Sequence, residues 1–114
     1  MLIRLPDPGQ GSASDTVGRE QAGPRPAAII QTRLMARGVS TVVVVPGTTN
    51  QRAASYDFTV PVSPSAQNGL SSPTVFMPFQ IRAIDASRIC DTLGVLSTGD
   101  MSAIDDALRE LLGL

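Results

Sequence analysis

Residues 41–50, Thr-Val-Val-Val-Val-Pro-Gly-Thr-Thr-Asn, contain the strongest strand signal of the chain. Consecutive β-branched residues favour an extended backbone, and the Pro46-Gly47 pair is expected to end it. The sequence therefore predicts a strand over Thr41–Pro46, with the polar residues Thr48, Thr49 and Asn50 directly after it.

Further short strands are predicted on both sides of this one. Apolar or alternating runs indicate strands at Leu2–Leu5, Pro26–Gln31, Tyr56–Val62, Thr74–Phe79 and Ile81–Ile84. Asn68-Gly69 is a strong turn signal, and Pro61 places its strand at an edge or a bulge. Pro6–Pro24 is rich in Gly, Ser, Pro and Asp and is expected to form a long loop. After the strand that ends at Gln31, Thr32–Gly38 is expected to be a short helical or irregular connection.

One amphipathic helix is predicted at the end of the chain. Ser97 is its expected N-cap, with Asp100 three residues later, and Gly113 ends it. Its apolar stripe consists of Met101, Ile104, Leu108 and Leu111, while Asp105 and Arg109 are spaced as an i,i+4 pair. Short strands followed by one helix predict a mainly β (α+β) fold, a small antiparallel barrel closed by a C-terminal helix.

Length and composition limit the possible classes of protein. A chain of 114 residues fits a single domain over residues 1–114, with 42% hydrophobic and 17% charged residues, and no apolar run approaches the roughly 20 residues of a membrane span. The N-terminus lacks a signal-peptide pattern, so we expect a cytoplasmic protein. The single cysteine, Cys90, is expected to be a small buried hydrophobe.

The absence of histidine restricts the chemistry. It removes the usual general base, the commonest metal ligand and every Ser/His or Cys/His pair, so we expect neither a metal site nor a cofactor. Residues 1–90 carry eight arginines and five acids, whereas residues 91–114 carry one arginine and five acids. Only the basic first part is suited to attract a phosphate backbone.

Three segments occur in order at a spacing that resembles the PemK/MazF family of toxins. They are GREQAGPRP at 18–26, TVVVVPGTTN at 41–50 and FQIRAID at 79–85. The resemblance implies an SH3-like barrel of the CcdB/PemK/MazF type, a homodimer, and metal-independent cleavage of single-stranded RNA that leaves a 2′,3′-cyclic phosphate and a 5′-hydroxyl. It also implies a type II toxin-antitoxin system, in which a cognate antitoxin occupies the RNA groove.

The resemblance assigns roles to a small set of residues. Arg25 matches the family's essential arginine, and its two flanking prolines stiffen the turn so that the guanidinium is suited to clamp a phosphate; the alternative is a solvated turn arginine. Thr48 matches the active-site threonine, although strand-end threonines often bond only the local backbone. Glu20 is the candidate proton acceptor for the 2′-hydroxyl, with a solvated loop glutamate as its alternative.

Four further residues are candidate RNA contacts: Arg19, Thr49, Asn50 and Gln80. For Arg19 a free surface arginine is an equal alternative, and for Gln80 a structural role is the stronger interpretation. Asp85 is expected to cap a single turn before Arg88.

Departures from the family pattern keep two other functions open. The first strand is short, Phe79 stands where several relatives have a carboxylate, and Gly47 replaces a larger apolar residue and is expected to loosen its strand. These departures suit a degenerate, non-catalytic barrel that binds nucleic acid or antitoxin. A gyrase poison like the CcdB toxins is the other alternative, but those act through a tryptophan that this chain lacks.

Overall fold

A computed structural model of the chain describes residues 1–6, 25–30, 38 and 40–114. The predicted long loop and the connection after Gln31 lie outside these residues, apart from single positions at their ends. The described elements are seven strands and one α-helix: β1 (Leu2–Leu5), β2 (Arg25–Ile29), β3 (Thr41–Thr48), β4 (Val60–Val62), β5 (Thr74–Phe76), β6 (Arg82–Asp85), β7 (Asp91–Gly94) and α1 (Thr98–Leu112).

Strand β3 is the centre of a curled antiparallel sheet. The strand order is β4-β5-β3-β2-β1-β7, and β6 pairs with the first half of β3. β3 pairs with β6 over its first half, with β2 over residues 44–46 and with β5 at its end, and the sheet curls into a half-barrel. This confirms the predicted mainly β fold with a helix at its C-terminal end.

The predicted end of β3 at Pro46 is wrong, because the strand continues through Pro46 and Gly47 to Thr48. The Pro46 carbonyl still accepts a hydrogen bond from the Met77 N–H at 2.9 Å. A Cβ on Gly47 would lie 2.7 Å from Cγ2 of Thr74 and 3.0 Å from the Phe76 ring. Glycine thus allows close packing of β3 on β5, and the expectation that it loosens the strand is also wrong.

The predicted strand Tyr56–Val62 is wrong in its first half. Only Val60–Val62 forms a strand, and the preceding segment Gln51–Ser55 is a 3₁₀ turn whose N-cap Asn50 accepts a hydrogen bond from the Arg52 N–H. Phe58 then adopts a φ of 66°, in the left-handed region, so the chain turns before β4 begins. Pro61 does lie in an edge strand, as predicted.

The segment between β5 and β6 also differs from its prediction. β5 ends at Phe76, and Pro78–Gln80 forms a 3₁₀ turn instead of extending the strand to Phe79. β7 was not predicted, because its sequence Asp-Thr-Leu-Gly has no apolar alternation. Cys90, just before it, is exposed instead of buried.

Side chains on the two faces of β2 enter two apolar clusters. Ala28 lies with Leu2, Val45 and Phe76 on the face that α1 covers through its buried residues Ile104 and Leu108. Ala27 and Ile29 lie on the other face with Ile3, Leu5, Val42 and Val44. The helix is capped as predicted, with Ser97 Oγ accepting the Asp100 N–H and Gly113 in the left-handed conformation. Arg109 forms an ion pair with Asp106, with 3.6 Å between Nη1 and Oδ1, whereas the predicted partner was Asp105.

Candidate active site

Arg25 is a buried cation at the start of β2. The side chain is 7% exposed, and its Nε and Nη2 atoms have no hydrogen-bond partner among the residues that the structure describes. Burying a charged group without a partner is costly, so such a group is rare unless it binds an anion. The predicted alternative, a solvated turn arginine, is wrong because the guanidinium is buried.

Thr48 is the last residue of β3 and is 4% exposed. Its Oγ1 accepts a hydrogen bond from the Asn50 N–H at 3.1 Å. The local backbone bond expected of a strand-end threonine is therefore present. This bond also fixes the hydroxyl at the point where β3 ends and the 3₁₀ turn begins.

The register of the sheet relates these two residues. β2 pairs with β3 through Ala27 opposite Pro46 and Ala28 opposite Val45. Arg25 and Thr48 each lie two residues beyond the last pair, Ala27 and Pro46. Because side chains alternate along a strand, Arg25 shares the face of Ala27 and Thr48 that of Pro46. The pairing of β2 with β3 ends at Ala27 and Pro46, so Arg25 lies just beyond the paired part of these two strands, while Thr48 pairs with Val75 of β5 on the other side of β3.

The structure describes three of the four predicted RNA contacts, and they differ in exposure. Thr49 is exposed, whereas the Asn50 side chain accepts from the Arg52 N–H at 3.1 Å and caps the 3₁₀ turn. Gln80 is half-buried at the end of the second 3₁₀ turn. Glu20 and Arg19 lie outside the described residues, so their roles stay predictions.

A pocket of about 120 Å³ lies beside Thr49. Its walls are formed by β1, β2, β7 and the segment before β5, and its lining includes Arg4, Pro26, Ser72 and Thr74. Arg4 is held there by an ion pair with Asp91, with 3.3 Å between Nε and Oδ1. Pro26 is the neighbour of Arg25, so the pocket lies on the other face of β2 from the Arg25 side chain.

Asp85 caps the last 3₁₀ turn, Ala86–Arg88, as predicted. Its carboxylate accepts the Ser87 N–H at 2.9 Å, and this hydrogen bond lowers the pKa of Asp85. The carboxyl is therefore part of the local structure of β6 and the turn after it.

No group of three or more acidic or cysteine side chains is placed to hold a metal ion in the part of the chain that the structure describes. In that part the candidate catalytic groups are the buried guanidinium of Arg25, at the start of β2, and the hydroxyl of Thr48, at the end of β3.

The sheet and the sequence agree with one known family. Residues 12–112 match the model of the PemK-like, MazF-like toxins of type II toxin-antitoxin systems. The chain belongs to this family. This membership favours the toxin over the gyrase poison and the degenerate barrel.

Relatives of this PemK/MazF-family protein include endoribonucleases. The chain is 30% identical to Endoribonuclease EndoA of Bacillus subtilis over 114 residues, which is 100% of this chain and 97% of that protein. Its fold is similar to that of Mycobacterium tuberculosis toxin MazF-mt6, with a TM-score of 0.72 and 22% identity over 100% of this chain and 98% of that one.

A third similar structure is that of a MazE-MazF complex. The MazE-MazF structure from Deinococcus radiodurans matches with a TM-score of 0.63 and 25% identity, over 78% of this chain and 85% of the matched chain. Within the described part of this chain, α1 and the 3₁₀ turns are all too short or too polar to span a membrane.

Sequence reasoning missed one feature near the site. Tyr56 and Phe79 are exposed and contact each other, whereas the alternation of Tyr56, Phe58 and Val60 predicted a half-buried strand. The signal that could have shown this is Asn50, a good N-cap residue directly after the strand, which favours a turn over Gln51–Ser55.

Proposed function

We propose that this toxin is an endoribonuclease that cuts single-stranded RNA, with Arg25 as the clamp on the reacting phosphate. The observation that carries the proposal is the buried guanidinium, whose Nε and Nη2 lack partners within the described residues. A planar guanidinium matches two phosphate oxygens, and a phosphate there would supply the missing counter-charge.

The proposed reaction is transfer of the phosphate to the neighbouring 2′-oxygen. The 2′-oxygen attacks phosphorus, the bond to the 5′-oxygen breaks, and the products are a 2′,3′-cyclic phosphate and a 5′-hydroxyl. Glu20 is proposed to accept the proton of the 2′-hydroxyl, and the leaving 5′-oxygen takes up a proton from solvent water. Arg25 stabilises the charge that develops on the non-bridging oxygens, while Thr48, fixed by the Asn50 N–H, contacts the same phosphate.

Single-stranded RNA is the proposed substrate because its riboses can turn for in-line attack, whereas the A-form duplex restrains them and hides base edges. Arg19, Thr49, Asn50 and Gln80 are proposed to contact the strand. Among them Thr49 is exposed beside Thr48, while Asn50 acts mainly by holding the turn.

The toxin is proposed to act in the cytoplasm, where RNA is available, as a homodimer whose RNA groove a cognate antitoxin covers. A chain of this size buries only about two-thirds of its unfolded surface, so a second copy adds stability. The Deinococcus radiodurans relative, solved as MazE-MazF, supports the antitoxin as a partner.

The decisive experiment replaces Arg25 with methionine, which is similar to the aliphatic part of the arginine side chain but carries no charge. Because the guanidinium acts on charge that develops during the reaction, we expect Arg25→Met and Arg25→Ala to cut RNA about 100- to 1000-fold more slowly. RNA cleavage is measured in EDTA, since the proposed reaction needs no metal.

Unfolding of the same variants separates catalysis from folding. Removing a buried unpaired charge without leaving a large cavity should leave Arg25→Met as stable as the wild type or more stable. A variant that is destabilised by several kcal/mol and still cuts RNA at the wild-type rate would show that Arg25 is structural. Strict dependence of wild-type cleavage on a divalent ion would contradict the mechanism.

A further inference from the structure

Three of the four aromatic side chains of this protein lie on its surface. Phe76 is fully buried, whereas Tyr56, Phe58 and Phe79 are exposed by 58%, 39% and 39%. Aromatic side chains normally contribute large buried areas, so an exposed group of them in so small a protein indicates a binding surface.

Two of these rings form a defined pair. The centroids of Tyr56 and Phe79 are 6.0 Å apart and their planes are inclined by 87°, an edge-to-face contact. This geometry is one of the preferred arrangements of aromatic pairs. Each ring therefore helps to fix the other while both remain accessible, and we call the two residues the aromatic pair.

The backbone on the Tyr56 side is held by specific hydrogen bonds. Asn50 caps the 3₁₀ turn Gln51–Ser55, and Gln51 Nε2 donates to the Thr49 carbonyl at 3.2 Å and to the Pro73 carbonyl at 3.0 Å. The Tyr56 N–H donates to the Ala53 carbonyl at 3.1 Å. Tyr56 thus stands on an ordered turn, which lowers the entropy lost when a ligand stacks on it.

The aromatic pair is connected to the proposed catalytic residues through the sheet. The turn that leads to Tyr56 begins directly after Thr48 and Thr49. Phe79 follows β5, whose residue Val75 pairs with Thr48. Tyr56 therefore follows the Thr48 end of β3, whereas the turn that carries Phe79 begins after Met77, which is bonded to Pro46 two residues before Thr48.

The charges along these segments favour an anionic ligand. Arg52 lies in the turn before Tyr56 and Arg82 lies three residues after Phe79, and both are exposed. Asp57 is the acidic residue beside Tyr56. Exposed aromatic rings with neighbouring arginines are the arrangement with which proteins bind single-stranded nucleic acid, since bases stack on rings and phosphates approach cations.

We propose that the aromatic pair is a stacking platform for a base of the single-stranded RNA next to the cleavage point. The proposal rests on the RNA-cleaving function proposed above and adds to it a way to hold the strand. Stacking is tolerant of base identity, so the platform sets affinity and position, while polar contacts elsewhere read the base.

The single tyrosine provides a direct measurement. The chain has one Tyr and no Trp, so its tyrosine emission reports on Tyr56 alone. The probe is a mixed-sequence RNA of about ten nucleotides, a length within the site sizes of proteins that bind single strands. Its riboses carry 2′-O-methyl groups, so the 2′-oxygen cannot attack the phosphate and the strand is not cut. We expect it to quench Tyr56 emission, and a strand of equal length with abasic positions to bind without quenching.

Variants test the same point by affinity. Removing a ring on which a base stacks should weaken binding of this strand about tenfold in Tyr56→Ala and in Phe79→Ala. Tyr56→Phe keeps the ring and should bind like the wild type. Leu112→Ala is the matched control, because Leu112 is 55% exposed at the end of α1 and should not affect binding.

Three outcomes would overturn the proposal. They are equal quenching by the abasic strand, wild-type affinity in both alanine variants, and a shift to monomer in sedimentation of Tyr56→Ala, which would make the aromatic pair a subunit interface. Cleavage of an unmodified RNA by the wild type is measured in parallel. If the wild type cuts RNA but any of these outcomes occurs, only the stacking platform fails; if it does not cut RNA, the proposed function itself fails.

Discussion

Gly47 shows how tightly the end of β3 is packed before Thr48. Its missing side chain makes room for Thr74 and Phe76, and an added methyl would lie 2.7 Å from Cγ2 of the buried Thr74. We expect Gly47→Ala to lower the free energy of unfolding by about 1–3 kcal/mol through overpacking. Gly99→Ala is the control, because its Cβ would meet only the Ser97 hydroxyl at 3.9 Å.

The two glycine variants should change stability in opposite directions. Gly99 lies in α1, where alanine is up to about 1 kcal/mol more favourable than glycine. Urea unfolding of both proteins provides the comparison. If Gly47→Ala is as stable as the wild type, then β3 and β5 are not in the close contact described above.

Single residues also show what the sequence could predict of the site. Arg25 and Thr48 are predicted site residues because their motifs resemble those of the PemK/MazF family, and the residue pattern alone would not have assigned them a role. The burial of the Arg25 guanidinium and the contact of Tyr56 with Phe79 could not be predicted, since both depend on segments that are distant in the chain. Glu20 remains a prediction.

At the scale of elements, α1 depends on the cap that the sequence indicated. Ser97 Oγ accepts the Asp100 N–H at 3.0 Å. Ser97→Ala should therefore lower the free energy of unfolding by about 1 kcal/mol, measured by thermal or urea unfolding. Ser102→Ala is the matched control, because Ser102 is exposed inside the same helix, where alanine is the better helix former. Equal destabilisation of the two variants would mean that the hydrogen bond at Ser97 does not stabilise the helix.

Elements with a strong local signal were predicted well, and those set by tertiary contacts were not. β1 and α1 were located correctly by apolar pattern and capping residues. β7 has no such pattern and exists because Thr92 and Asp91 pair with Ile3 and Arg4 of β1. The alternation at Tyr56–Val62 suggested a strand, but the capping by Asn50 and the left-handed Phe58 break its first half into turns.

Across the whole molecule, residues 1–90 carry more arginines than acids, whereas α1 carries more acids than arginines. These two parts are in contact. α1 packs against β4 and against the turn Pro78–Gln80, which carries Phe79. The helix therefore lies close to a proposed RNA contact, and the net charge of −1 gives no overall attraction for RNA. Affinity must come from local cations, above all Arg25.

The salt dependence of RNA binding measures how many phosphates these cations contact. For single strands the logarithm of the affinity falls with the logarithm of salt concentration by about 0.7 for each neutralised phosphate. If Arg25 contacts one phosphate, Arg25→Met should make this slope less steep by about 0.7 between roughly 50 and 200 mM salt, with the 2′-O-methyl strand as probe. Arg109→Met is the control, because Arg109 is exposed on α1 and paired with Asp106, and its loss should leave the slope unchanged. If Arg25→Met binds RNA with wild-type affinity and an unchanged salt slope, Arg25 does not contact the RNA.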